Sequence, residues 1–358
     1  MNTPLLRAAA PLALLVSTLT TACAEVILED QASGGTSSSS SSGGNSTGSS
    51  TSTGAAGGAP FACAPGDHLV TFGESAAGGA TLGITSDAEG VYWTNGDGSV
   101  WRADPGGASP TRLAEGLGEP ESIAVRGDQL FVVDYGHGLF GVDKHTGAAK
   151  LLAKGDHATV TAGPGGIYAT DSSEVIKVSE DGSPPEIVAA LPGASSLAAD
   201  AEHVYAKVLG PAGDATARIV RIPGASGPAE DLVPIETQAY SYGWQEIAID
   251  ESRVYWVNPS EGTVSSAPKG GGAATVLASG LADPESVAVL DGEVYFTVRG
   301  KDGGPLSDRA VAKVPAAGGA ITYLAHGPSV SAYGIALDAG FAYWTAKYTG
   351  GPVSAACR

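Results

Sequence analysis

The chain has 358 residues, 52 of them Gly and 22 Pro, with 16% charged side chains and a formal net charge of −19. That acidity, with no cluster of Lys or Arg anywhere along the chain, speaks against a nucleic-acid partner, because phosphate backbones are held by clustered cations. Apolar runs are short, rich in Val, Ile and Tyr, and broken every few residues by Gly, Pro, Asp or Ser, which excludes a helical bundle and predicts an all-β fold.

At the N-terminus, Arg7 precedes an apolar stretch from Ala8 to Leu19. This is too short to cross a bilayer as a helix but suits the core of a signal peptide. It runs into Thr20-Thr21-Ala22-Cys23, which resembles a bacterial lipoprotein box, although Leu19 lies one residue further from the cysteine than the box usually has it. The resemblance implies a lipid on Cys23, which would then be the mature N-terminus. The alternative is ordinary signal peptidase cleavage at the A-x-A-like Ala22-Cys23-Ala24. Residues 1–23 are therefore read as a signal peptide. Either way the protein is exported: anchored to the cell envelope by lipid, or secreted if Cys23 is not lipidated.

Residues 24–62 form a linker, almost wholly Ser, Gly, Thr and Ala from Ser33 to Pro60. Such a segment buries too little apolar surface to offset chain entropy, so disorder is expected. A Gly/Ser coil of this length spans on the order of 30 Å, a leash that holds a domain off a membrane. Beyond it, Cys63 and Cys357 stand at opposite ends of the remaining chain, and an oxidising compartment permits a bridge between them.

Residues 63–358 repeat themselves. An aliphatic anchor is followed seven positions later by a small or apolar residue and then an aromatic. Ile84 leads to Val91-Tyr92, Ile123 to Leu130-Phe131, Val160 to Ile167-Tyr168 and Leu197 to Val204-Tyr205. Ile247 leads to Val254-Tyr255, Val287 to Val294-Tyr295 and Ile335 to Ala342-Tyr343. Each copy has the texture of four short strands, as in Leu82–Thr85, Val91–Thr94, Val100–Ala103 and Thr111–Ala114. Repeats of about 40 residues with four strands each describe propeller blades. The last copy stops after Gly351–Cys357, and His68–Phe72 reads as its missing fourth strand. The prediction is a monomeric seven-bladed β-propeller whose ring is closed by strands from both chain ends, leaving no open sheet edge.

The recurring aromatic is read as a wedge packed between blades. Asp87, Asp200, Asp250 and Asp338 recur three residues after the anchor, where the chain must turn, and are read as acceptors of turn amides rather than metal ligands. At Val91-Tyr92-Trp93-Thr94-Asn95 and Tyr168-Ala169-Thr170-Asp171 the copies resemble YWTD repeats. That resemblance implies a propeller of the kind found in receptor ectodomains and exported bacterial proteins. It is architectural, because receptor YWTD domains have six blades and this chain has seven copies.

No G-x-S-x-G, H-E-x-x-H, C-x-x-C or P-loop pattern is present. A propeller site would be assembled from equivalent loops of different blades. The segments leading into the first strands supply His157, Trp244, Glu121, Gln245, Glu246, Glu285 and Tyr333; the loops after the second strands supply His137, Asn258, Arg299 and Lys347. This is a mixed polar and aromatic rim of the kind that binds ligands. The primary expectation is a membrane-tethered scaffold that recognises a protein or glycan and uses no cofactor. The alternative is a lactonase-like hydrolase or lyase with Ca²⁺ or Mg²⁺ at the channel mouth. Glu121 faces Glu246 and Glu285 across the channel, too far to share one such ion unless the rim narrows, whereas Glu246 and Glu285 are on neighbouring blades and closer; the three are expected not to form a tight metal site.

Overall fold

The computed structural model describes residues 70–72, 80–171, 173–211, 216–224, 227–235, 246–301, 303–347 and 351–358. All of them belong to one compact unit spanning residues 49–358. Their short alternating strands pair into seven four-stranded antiparallel sheets. The only helices among the described residues are two single 3-10 turns, Pro105–Gly107 and Leu306–Asp308. The innermost strand of each sheet carries one repeat anchor. In chain order these strands are Thr81–Asp87, Pro120–Arg126, Thr159–Gly163, Ala194–Ala199, Ile247–Ile249, Pro284–Leu290 and Ile335–Leu337. We number the blades one to seven accordingly. Each innermost strand lies beside the next, and that of blade seven returns to that of blade one, so the ring closes.

Closure uses both chain ends. Val70–Phe72 is the outermost strand of blade seven and pairs antiparallel with Val353–Cys357, with Val70 opposite Ala355 and Phe72 opposite Val353. The structure thus bears out the seven-bladed all-β architecture, with strand bounds differing from the sequence reading by a few residues. His68 and Leu69, expected in that closing strand, lie outside the described residues, as do Cys23 and Cys63.

The recurring aromatics are interior. Tyr92, Phe131, Tyr168, Tyr205, Tyr255, Tyr295 and Tyr343 are all buried, and they sit in apolar clusters that span neighbouring blades. Sheets stacked face to face must fill the wedge between them, and large rings do so with most area per residue.

A second stitch between blades is polar. Ten residues after the anchor, Thr94, Thr297 and Thr345 each accept the amide of their own innermost strand, from Gly83, Ser286 and Gly334, at 3.0–3.1 Å. Each hydroxyl then donates to a carbonyl of the next blade. Thr94 reaches Glu121 at 3.4 Å, Thr297 reaches Tyr333 at 2.8 Å, and Thr345 reaches Leu82 at 2.7 Å. A one-carbon hydroxyl that accepts one bond and donates another satisfies two buried backbone groups at once. Gly83 is required for this close approach, because a Cβ there would lie 2.3 Å from the Glu121 carbonyl oxygen. Blade four carries Lys207 at the equivalent position, and its ammonium reaches across to blade five, 2.9 Å from Glu246 and 2.9 Å from the Val257 carbonyl.

At the opposite end of the innermost strands, the recurring aspartates act as expected. Asp200 Oδ1 accepts the amides of Glu202 and His203, and Asp250 Oδ1 those of Ser252 and Arg253. Each also accepts the hydroxyl of its blade's wedge tyrosine: Tyr205 donates to Asp200 at 3.3 Å, Tyr255 to Asp250 and Tyr343 to Asp338 at 2.5 Å. Lys269 of blade five adds a 2.9 Å ion pair to Asp200 of blade four.

Burial disfavours the Asp200 carboxylate, but the Lys269 hydrogen bond and the two turn amides outweigh it and hold its pKa down at about 2. The folded value therefore lies below the ordinary one. The stabilisation is complete above the ordinary value of 3.8 and is lost as pH falls through about 2. With Asp200 partly exposed, about 1–2 kcal/mol is expected after allowing for solvent screening. Asp200→Asn should be less stable than wild type by that amount at pH 7 in chemical denaturation. The difference should close by pH 2; a constant difference down to pH 2 would mean the carboxylate's charge is not responsible.

Candidate functional site at the channel mouth

The innermost strands converge on the ring axis and enclose a cavity of about 370 Å³. One position after the anchor, Thr85, Ala124, Thr161, Ala198, Ala248 and Ala288 line it. Small residues at that position in every copy were the sequence signal for the channel wall. At one end the wall includes Leu82, Glu121 and Tyr333, whose carbonyls are the ones the threonine stitches hold. The polar framework that joins blades therefore also fixes the mouth.

Glu121, from blade two, is half-buried there. Burial raises its pKa; the Lys347 ammonium pulls it back in part, and Glu119 adds to the rise. Among the described residues its carboxylate has no hydrogen-bond or ion-pair partner. Lys347, from blade seven, has its ammonium 3.2 Å from the Tyr333 hydroxyl and 4.6 Å from the centre of that ring. Burial lowers the Lys347 pKa against the attraction of Glu121 and Glu285. Burial thus disfavours the charged form of each group, while their mutual attraction opposes it.

The other two acids of the expected rim have fixed cations. Glu285 is fully buried and pairs with Arg299 at 3.3 Å; Arg299 also bonds Asp283 at 3.1 Å. Glu246 is fully buried against Lys207, which is itself fully buried. Lys207 and Asp283 were not singled out from the sequence. The signal for Lys207 was a long cation where other blades have threonine.

His137, His157 and Asn258 are not among the residues that line the cavity. His157 is buried, beside the Thr170 backbone. Burial lowers its pKa against Asp171 and Asp156. Asn258 is buried and caps a turn by accepting the Glu261 amide at 3.3 Å. His137 is mostly exposed on its loop, with Nδ1 2.9 Å from the Tyr135 carbonyl. Trp244 and Gln245 lie outside the described residues.

Among the described residues, one group of three side chains has metal-ligand spacing: Glu89, Asp128 and His145, all exposed. Glu89 lies in the turn at the far end of blade one's innermost strand, and the Lys144 ammonium stands 3.0 Å from it.

No protein-family model matches the chain, and no curated protein sequence matches it. Solved structures do. A streptogramin B lyase superposes with a TM-score of 0.62 at 15% identity, over 80% of this chain and 96% of its own. Virginiamycin B lyase from Staphylococcus aureus gives 0.60 at 14%, over 78% and 95%. YCF48 bound to a D1 peptide gives 0.58 at 10%, over 81% and 94%. At these identities the likeness establishes the β-propeller fold and nothing of the chemistry.

Proposed function

We propose that this protein is an exported ligand-binding propeller that presents its channel mouth as a recognition surface. The observation that carries this reading is the state of the rim acids. Glu246 and Glu285 are already neutralised by Lys207 and Arg299, so they hold the mouth rigid rather than serve as reactive groups. Glu121 lines, with Tyr333, a cavity of ligand-binding size, and the Lys347 ammonium bonds the Tyr333 hydroxyl.

An acid–base role for a lyase or hydrolase, with or without Ca²⁺ or Mg²⁺, is the second reading. It is favoured by the raised pKa of Glu121 and the lowered pKa of Lys347, which move both groups toward the working range of proton transfer. The two readings separate in one experiment. Thermal shifts of the full chain are measured across amino acids, peptides and oligosaccharides, with and without each cation, and bound compounds are re-examined by mass spectrometry. Binding predicts a shift of several degrees with at least one compound, lost in Lys347→Ala, with the compound recovered intact. Conversion of the compound would sink the binding reading.

The tether completes the proposal. Lipid on Cys23 and the linker of residues 24–62 would hold the disc at the envelope, and a Cys63–Cys357 bridge would lock the closing blade. The bridge is supported by the pairing of Val70–Phe72 with Val353–Cys357, which brings the two chain ends side by side, and by Cys357 not being a free thiol. In the chain-entropy model a loop this long contributes roughly 5 kcal/mol. Mass spectrometry of unreduced peptides from membrane-fraction protein should find both acylated Cys23 and the linked pair. An N-terminus at Glu25, or two free thiols, would refute the respective part.

A further inference from the structure

We infer that Glu89, Asp128 and His145 form a Zn²⁺ site that ties blade one to blade two on the face opposite the channel mouth. The site is independent of the ligand-binding reading, because all three residues lie in turns at the far ends of their strands. Glu89 follows the innermost strand of blade one, Thr81–Asp87, and Asp128 follows that of blade two, Pro120–Arg126. His145 follows the third strand of blade two, Gly138–Asp143. One ligand atom from each of the three lies within 4.8 Å of the other two.

The spacing selects a shared ion over direct pairing. His145 Nε2 is 3.5 Å from Asp128 Oδ1 and 3.9 Å from Glu89 Oε2, both longer than an ordinary hydrogen bond. Ligands about 2.0–2.1 Å from a tetrahedral ion stand about 3.3–3.4 Å from one another, so a small closure around the ion suffices. The turns hold the ligand backbones in place for it. The Glu89 amide donates to Asp87 Oδ1 at 2.8 Å and the His145 amide to Asp143 Oδ1 at 3.0 Å. The Asp128 carbonyl accepts the Lys144 amide at 3.0 Å, which fastens the two turns of blade two to each other.

The donor set selects the ion. An imidazole nitrogen with two carboxylate oxygens suits Zn²⁺, whereas Ca²⁺ and Mg²⁺ take oxygen ligands. Lys144 is buried beside the group, 2.9 Å from Asp87 Oδ2 and 3.0 Å from Glu89 Oε1, so Oε2 is the oxygen that faces His145. Asp87, Glu89 and Asp128 carry three negative charges against the one positive charge of Lys144, and a divalent ion balances the remaining two. Three protein ligands leave the fourth position of a tetrahedral ion to water. Glu89 is the one ligand from blade one, so through it the ion crosses between blades.

The probe is Zn²⁺ itself, titrated by calorimetry into the full chain after chelator treatment and dialysis. Zn²⁺ should bind with a dissociation constant on the order of micromolar, and at least about tenfold more tightly than Ca²⁺. His145→Ala and Asp128→Asn should each weaken it by about tenfold or more. Saturating Zn²⁺ should also raise the melting temperature of wild type by several degrees and that of Glu89→Gln by much less, because the ion then holds blade two alone. Each variant is compared with itself with and without Zn²⁺, so loss of the Lys144 contact to Glu89 does not enter the difference. Failure to bind below millimolar Zn²⁺ overturns the inference, as does Ca²⁺ binding as tight as Zn²⁺. Zn²⁺ binding that survives unchanged in His145→Ala belongs to other residues and overturns it too. An equal thermal shift in wild type and Glu89→Gln would remove the tie between the blades. The ligand-binding reading of the mouth stands or falls separately, since none of these residues lines the cavity.

Discussion

Lys207→Met is expected to lower stability by about 3–5 kcal/mol, because it strands the fully buried Glu246 carboxylate without its cation. The Val257 carbonyl loses a charged donor in the same step. Glu246→Gln should cost less, since an amide still accepts from the ammonium. Replacing both partners by apolar residues of similar volume, Lys207→Met with Glu246→Leu, should recover most of the loss, because no unpaired charge remains. Guanidinium denaturation of wild type, Lys207→Met, Glu246→Leu and the double variant provides a double-mutant cycle, in which strong coupling between the sites is expected. A single-mutant cost below about 1 kcal/mol would mean that water or a rearranged loop reaches Glu246. The pair also has a geometrical consequence. Lys207 ties blade four to blade five by side chain, whereas Thr94, Thr297 and Thr345 hold the neighbouring blade's backbone.

Trp93→Ala should cost a similar amount, about 3–5 kcal/mol, by a different physical route. Trp93 is fully buried at the junction of blades one and seven. Its ring meets Phe72 edge-on at 5.7 Å and stacks on Trp101 at 6.1 Å. The indole nitrogen has no partner among the described residues, so the loss is one of packing alone. The cavity left behind undermines Phe72, which anchors the short closing strand. Trp93→Ala should therefore also speed proteolysis N-terminal to Val70 under native conditions, by raising the population in which that strand detaches. Trp256→Ala, in the cluster between blades four and five, should destabilise without that local effect. Equal release of the N-terminal strand by both substitutions would show that the ring opens globally and that the seam is no weaker than the rest.

The sequence determined the blade count and the closure. Seven anchors with a constant internal spacing can be satisfied only by seven equivalent sheets, and a truncated last copy matched by an N-terminal strand leaves one way to complete the ring. The wedge aromatics and the turn aspartates were legible for the same reason. Their partners, Tyr205 for Asp200 and Tyr255 for Asp250, sit five residues away in a hairpin whose register is local. The candidate site at the channel mouth was legible only as a set of loops. Which rim residues meet there depends on contacts between copies far apart in the chain, and local pattern carries no information about them. Glu121 lies more than two hundred residues from Lys347, yet each influences the other's charge. Glu285, two residues before its anchor like Glu121, and Glu246, one before, looked like rim acids of the same kind. Tertiary structure separated them, because Lys207 and Arg299 are long enough to cross to a carboxylate and neutralise it where water is excluded. Asn258 and His157 were drawn inward for a similar reason: a polar side chain beside a turn caps the turn or is covered by it before it can face the channel.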